Sequence, residues 1–234
     1  MSTVTENVAK NLDLTRNEPL KSLVYQAFRK TIILGEIPAG VRINEKEFAE
    51  EMNISRTPIR HAMQTLVSEN LVAYQPGIGN IVKGINVADA HEIYDIRKAL
   101  DILATTTAMK KMTPEDFEEL RTLLEDTHQL NEEGDVDLVL RKFSDFNQFI
   151  YQKSQMLRLE SIVTKLRDYL VYFRDIAIKD KERRDRALHE HWLIYQGMTN
   201  QNKEQIELII HEHLDTSLSF IIKEMEQYLN DTTH

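Results

Sequence analysis

The chain has 234 residues, 41% of them hydrophobic, with 29 Lys and Arg against 38 Asp and Glu for a net charge of −9 at neutral pH. This composition suits a folded protein of one large domain or two modest ones and excludes disordered and collagen-like chains. With no cysteine, disulfides, thiolate nucleophiles and cysteine-ligated zinc or iron–sulfur sites are excluded, so any metal must rest on histidine and carboxylate. No stretch of the sequence approaches the ~20 apolar residues that cross a bilayer, and MSTVTENVAKNLDLTRNE lacks the apolar core of a secretion signal, so a cytoplasmic protein is expected.

Turn formers and charge divide the chain. Five of the seven glycines and four of the five prolines precede residue 85. Residues 1–84 hold 10 Lys and Arg against 9 Asp and Glu, leaving 19 against 29 for the remaining 150. The acidity thus belongs to the C-terminal part, and a near-neutral N-terminal module can still bind a polyanion.

In chain order, residues 1–18 read as a flexible arm. Leu20, Leu23, Val24, Ala27, Phe28 and Ile32 then follow helical spacing up to Gly35. Asn44 with Glu47 resembles a capping box and starts a short helix carrying Phe48, Ala49 and Met52 inward. Asn53 turns the chain. A third helix opens at Ser55-Arg56-Thr57-Pro58, with a hydroxyl able to cap and a proline in the first turn, and places Ile59, Ala62, Met63 and Leu66 on one face. LVAY, the turn QPGIGN and IVKGI then form a hairpin signature.

From Val87 onward only Gly134, Gly197 and Pro114 interrupt the chain, which predicts long helices over 87–111, 114–132, 136–153, 156–179, 182–199 and 203–229. Thr113 caps the second of these, and Pro114 takes its first position. Six helices joined by short loops predict an antiparallel bundle.

In helix–turn–helix geometry the start of the second helix enters the DNA major groove. Arg56 and Arg60 lie four residues apart, off the Ile59/Ala62/Met63/Leu66 face, and Gln64 extends their stripe. Arginine reads guanine O6 and N7 bidentately, while Ser55 and Thr57 can donate to phosphate. The alternative reading of the spacing is two solvated arginines on a surface helix.

The segment INEKEFAEEMNISRTPIRHAMQTLVSENLVAYQPGIGN resembles the winged helix–turn–helix of GntR-type transcription regulators, and SRTPIRHAMQTL is its most specific part. The resemblance implies base and phosphate contacts from Ser55, Arg56, Thr57 and Arg60, a contact from Lys46 on the preceding helix, and Gly77 at the tip of a wing in the neighbouring minor groove. DIRKALD, FNQFIYQKSQMLRL, HEHWLIY and IIHEHLD carry a further resemblance to the ligand-sensing domain of the FadR branch. The expected fold is therefore mainly α: an arm over 1–18, a winged helix–turn–helix over 19–85, and a helical effector-binding and dimerisation domain over 86–230.

Many members of that branch bind a divalent metal through an Asp, a His four residues later and two further histidines. Here Phe143 and Asn147 stand at the first two positions, and His191 and His213 match the others. The resemblance leaves Asn147, His191 and His213 as candidate ligands for Zn or Ni, in an open and weak set. The two histidines can also be internal hydrogen-bonding groups or direct donors to an anion. Arg97 matches an arginine that grips a ligand carboxylate, with pairing to Asp101 at i+4 as the structural alternative. Arg97, Asn147, His191 and His213 thus form the candidate effector site, and the spacing of Arg97 and His191 resembles that of citrate-responsive members. The expected partners are double-stranded operator DNA with a palindromic site, a small organic acid and a second copy of the chain, with no membrane. A small metal-dependent enzyme using His191 and His213, and a helical scaffold with a vestigial DNA module, are the alternatives from other classes.

Overall fold

The structure is a computed structural model that describes residues 2–231, with side chains described through Gln227. The chain divides into two compact units: the residues up to Val87 together with the end of the last helix from Met225, and Ala88–Glu224.

In the first unit α2 (Leu20–Ile33), α3 (Glu45–Glu51) and α4 (Arg56–Ser68) carry the helix–turn–helix. Their apolar faces merge into one core, where Val24, Ala27, Phe28, Ile32, Ile59, Ala62, Met63 and Leu66 are essentially inaccessible. The Phe28 and Phe48 rings meet at 5.1 Å. Leu20, expected inward, is exposed, since it is the first residue of α2. Strands β2 (Val72–Gln75) and β3 (Gly79–Val82) form the expected hairpin, with Val72 opposite Val82 and Gln75 opposite Gly79. Gly77, at φ +81° in the turn, adopts a left-handed backbone that a side chain disfavours. The sequence did not reveal β1 (Arg42–Ile43), which pairs antiparallel with β3 and puts that strand in the middle of the sheet. Two residues are too few to show a period of two.

The expected flexible arm is corrected by α1 (Thr3–Lys10), a helix packed on α2. Its buried residues are Thr5 and Val8, one of them polar, so no apolar stripe announces it, and polar contacts hold much of it. Ser2 accepts from the Thr5 amide, Asn7 donates to the Glu36 carbonyl, and Asn11 donates to Thr31 and Glu36. Val8 supplies the buried apolar anchor.

The second unit is helical: α5 (Val87–Lys111), α6 (Pro114–Glu133), α7 (Val136–Ser154), α8 (Leu157–Tyr169), α9 (Val171–Ala177), α10 (Lys181–Thr199) and α11 (Lys203–Asp231). The Thr113 hydroxyl and the Asp116 carboxylate form a full capping box at α6, and Gly134 ends it in a left-handed turn. The single helix expected over 156–179 is instead two, broken at Leu170, where the Leu170 amide bonds back to the Arg167 carbonyl in a tightened turn. No glycine or proline marks that break, so composition could not announce it. Ala104, Tyr151, Leu159 and Val163 form a buried cluster joining α5, α7 and α8. Tyr94 and Ser217 hydrogen-bond at 3.1 Å between α5 and α11.

Candidate DNA-contacting surface and effector cavity

At the amino end of α4, Arg56, Thr57, Arg60 and Gln64 are all exposed, as are Ser55 before it and Lys46 on α3. The alternation follows from the helix itself: Pro58, Ile59, Ala62 and Met63 turn inward and leave the arginines outside. Ser55 occupies the N-cap position but makes no capping hydrogen bond. The usual acceptor role at that position serves the second or third amide of the helix, and the third residue here is Pro58, which has no N–H. At α3, Asn44 accepts from the amides of Lys46 and Glu47, which is the forward half of the expected capping box. Gly77 is exposed at the wing turn.

Sequence reasoning missed Glu45. One of its carboxylate oxygens lies 3.3 Å from Arg60 Nε and 3.9 Å from Arg56 Nη2. Its other oxygen accepts from Asn80 on β3 at 3.3 Å. One carboxylate therefore ties α3, α4 and the wing together and gathers both arginines. Its position at the start of a helix is also what a merely dipole-favouring glutamate shows, so the sequence carried no separate signal.

In the helical unit the four candidate effector residues line one cavity of about 50 Å3, together with Phe143 and further arginines. Arg97 is buried and donates from Nη2 to Asp101 at 3.2 Å, and the Tyr151 hydroxyl donates to the other Asp101 oxygen at 2.7 Å. The i+4 pair that the sequence allowed on a helix surface thus exists, but in the interior. Burial works against charge on Arg97, and the adjacent Asp101 carboxylate together with Tyr94 and Tyr151 more than offsets it, so the guanidinium stays charged.

His191 is buried between rings: Phe146 stacks on it at 4.3 Å, Phe143 meets it edge-on at 5.0 Å, and the His213 ring lies 5.1 Å away. His213 Nδ1 is 2.7 Å from Glu190, which also takes Arg186 at 3.0 Å and has Arg183 at 3.5 Å. Burial opposes ionisation of Glu190, but His213 and the arginines together hold its pKa below the usual carboxylate value. The Asn147 amide nitrogen donates back to the Phe143 carbonyl at 2.7 Å. Among the described residues, no three His, Asp or Glu side chains are arranged to hold a metal. His189 and His211 are exposed, away from this lining. The sequence reading also passed over Arg167, Arg174 and Arg183 in the lining: the first two flank the unforeseen break at Leu170, and the third lies on α10.

Burial, reinforced by repulsion from His213, Arg183 and Arg167, pushes the His191 pKa well below its usual value near 6.5. The ring is therefore neutral in the folded protein. Below about pH 6.5 the unfolded chain takes up a proton that the folded ring refuses, so folding stability falls with pH by about 1.4 kcal/mol per unit from this group. Chemical denaturation from pH 7 to 5 is expected to show that slope in the parent and a shallower one in His191→Gln. Identical slopes would place the titrating group elsewhere.

Comparison with known proteins gives these two sites a common setting. Residues 20–82 match the family described as bacterial regulatory proteins, gntR family, and residues 92–216 match the FCD domain. The chain is 27% identical over 192 residues to the uncharacterized HTH-type transcriptional regulator YdhC of Bacillus subtilis, covering 82% of this chain and 86% of that protein. It is 32% identical over 133 residues to the HTH-type transcriptional regulator McbR of Escherichia coli, covering 57% and 60%. Among solved structures the fold is similar to that of Lar, described as controlling the expression of the Listeria monocytogenes agr system, with a TM-score of 0.68, 17% identity, and coverage of 89% of this chain and 99% of that one. No helix among the described residues is long and apolar enough to cross a membrane. The chain belongs to the gntR family of bacterial regulatory proteins, carries an FCD domain behind its DNA-binding module, and is a transcription regulator rather than an enzyme.

Proposed function

We propose that the protein is a cytoplasmic homodimer that binds a palindromic operator, and that a small organic acid in the FCD cavity modulates this binding. Arg56 and Arg60 read base edges in the major groove, Ser55 and Thr57 hold phosphates, Lys46 adds a contact from α3, and the Gly77 turn approaches the minor groove. A dimer supplies two half-sites, because one winged module makes too few contacts for specific binding at ordinary salt.

The observation that carries the effector reading is the convergence of Arg97, Asn147, His191 and His213 on one enclosed, arginine-lined cavity. A guanidinium fork matches a carboxylate, and the neutral His191 ring can donate one hydrogen bond to it. Citrate belongs in the set of acids to test. The Zn or Ni implied by resemblance is left out of this reading. Phe143 stands where a carboxylate ligand would be, which leaves two imidazoles and one neutral amide oxygen, a weak set for a dication. The surrounding arginines add a positive field that repels a dication.

Light scattering tests the dimer, with a monomer both free and on DNA as the contradicting result. Titration of the protein–operator complex with a panel of organic acids tests the effector. At least one acid is expected to shift operator affinity, and no response to any member would defeat the carboxylate reading.

A further inference from the structure

We propose that Arg167 and Arg183 join Arg97 in holding a compact oxyanion directly, with no metal between protein and ligand. The proposal rests on the reading of this cavity as the effector site and narrows what the site takes.

Charge comes first. Four arginines line the cavity: Arg97, Arg167, Arg174 and Arg183. Asp101 accompanies Arg97, and Asp175 takes Arg174 at 2.7 Å. Glu190 is the carboxylate nearest Arg183 but is shared with Arg186 and His213. Arg167 pairs with no carboxylate among the described residues and lies with its Cζ 5.8 Å from the Tyr151 ring. Arg167 thus has no ion-pair partner of its own: desolvation with the nearby Arg97 and Arg174 works against its charge, and Tyr151 and the Asp101 that already pairs with Arg97 offset this only in part. A desolvated cation without its own partner is costly until an anion arrives.

Hydrogen bonding points the same way. Arg97 Nε and His191 Nδ1 are buried without hydrogen-bond partners, Arg183 Nη1 has only the shared Glu190 carboxylate at 3.5 Å, and all three side chains are at least nine-tenths buried in this lining. Such orphaned groups are rare in folded proteins and call for a missing partner. A single ligand with several oxygens supplies acceptors to all of them.

Size sets the class. A cavity of about 50 Å3 has room for about four waters. That suits a short dicarboxylate or a tetrahedral oxyanion, and citrate enters only if the cavity opens. Both ligand types share planar or tetrahedral oxygens that guanidiniums grip bidentately.

The test is calorimetry and thermal unfolding of the full chain after treatment with EDTA, using oxalate, inorganic phosphate, acetate and citrate as probes. Oxalate or phosphate is expected to bind and raise the unfolding temperature, and added Zn or Ni is expected to change neither. Oxalate alone identifies a planar carboxylate, and phosphate alone a tetrahedral anion. Arg167→Met should weaken the bound probe by about tenfold or more while raising the unfolding temperature of the ligand-free protein, since an unpaired charge is removed. A purely structural arginine would not give that opposed pair of effects. Arg183→Met should weaken the probe similarly, and if it fails to fold, Arg167→Met and Arg167→Lys carry the test. Binding that requires metal, that ignores both arginines, or that occurs with neither small probe overturns the proposal. Citrate binding that depends on Arg97 in those cases leaves the broader organic-acid reading intact, and no Arg97-dependent acid at all removes both.

Discussion

Replacing Arg56 or Arg60 with alanine is expected to lower specific operator affinity by about 5- to 150-fold, the loss of one bidentate base contact worth about 1–3 kcal/mol. Both side chains are more than half exposed, and a surface substitution of this kind changes folding stability by about 0.5 kcal/mol at most. The helical unit should therefore unfold as in the parent. Both arginines must loosen from Glu45 to reach a base. Exposed ion pairs of this type are worth about 0–1 kcal/mol, less than a base contact returns, so Glu45 aims the arginines without holding them back. Fluorescence anisotropy on the selected operator measures the loss, and unchanged affinity in both variants would remove α4 as the recognition element.

The second large effect concerns Arg97. Arg97→Ala leaves Asp101 buried with only the Tyr151 hydroxyl to satisfy it, and breaking such a pair costs about 3–5 kcal/mol of folding stability. The double variant Arg97→Met plus Asp101→Asn removes both charges and keeps an acceptor for Tyr151, so most of that loss should return. If Arg97 grips the effector, the double variant folds well yet gains no stability from any organic acid. If Arg97 serves only Asp101, the double variant responds to acids as the parent does. Urea denaturation with and without the acid panel separates the two.

The helix–turn–helix was legible because each of its elements is long enough to show a period and ends on a residue with a mechanical reason to end it. Gly35 ends the first run and Asn53 turns the chain, and in the helical unit Thr113-Pro114 opens α6 as expected. Arg97, Asn147, His191 and His213 were identified by family position, and they do share one cavity. What stayed hidden was tertiary. Docking of α1 depends on two polar side chains, Asn7 and Asn11, meeting Thr31 and Glu36 some 20 to 29 residues away. The break at Leu170 depends on packing and not on composition. Arg167 and Arg174 lie on either side of that break, where an uninterrupted helix would have aimed them differently, while Arg183 on α10 reaches the same cavity only through tertiary packing. Glu45 passed unnoticed because its work is done across space, on Arg56, Arg60 and Asn80.

Operator recognition through α4 is tested by selecting DNA from a random-sequence library with the 234-residue protein and measuring the affinity of the enriched sequence across a salt series. The expected result is one two-fold symmetric sequence with half-sites about one helical turn apart. Its affinity should fall steeply with salt as phosphate contacts release counterions, and Arg56→Ala and Arg60→Ala should bind it far more weakly. Enrichment of no sequence, or equal binding of the enriched sequence by parent and both variants, would contradict the account.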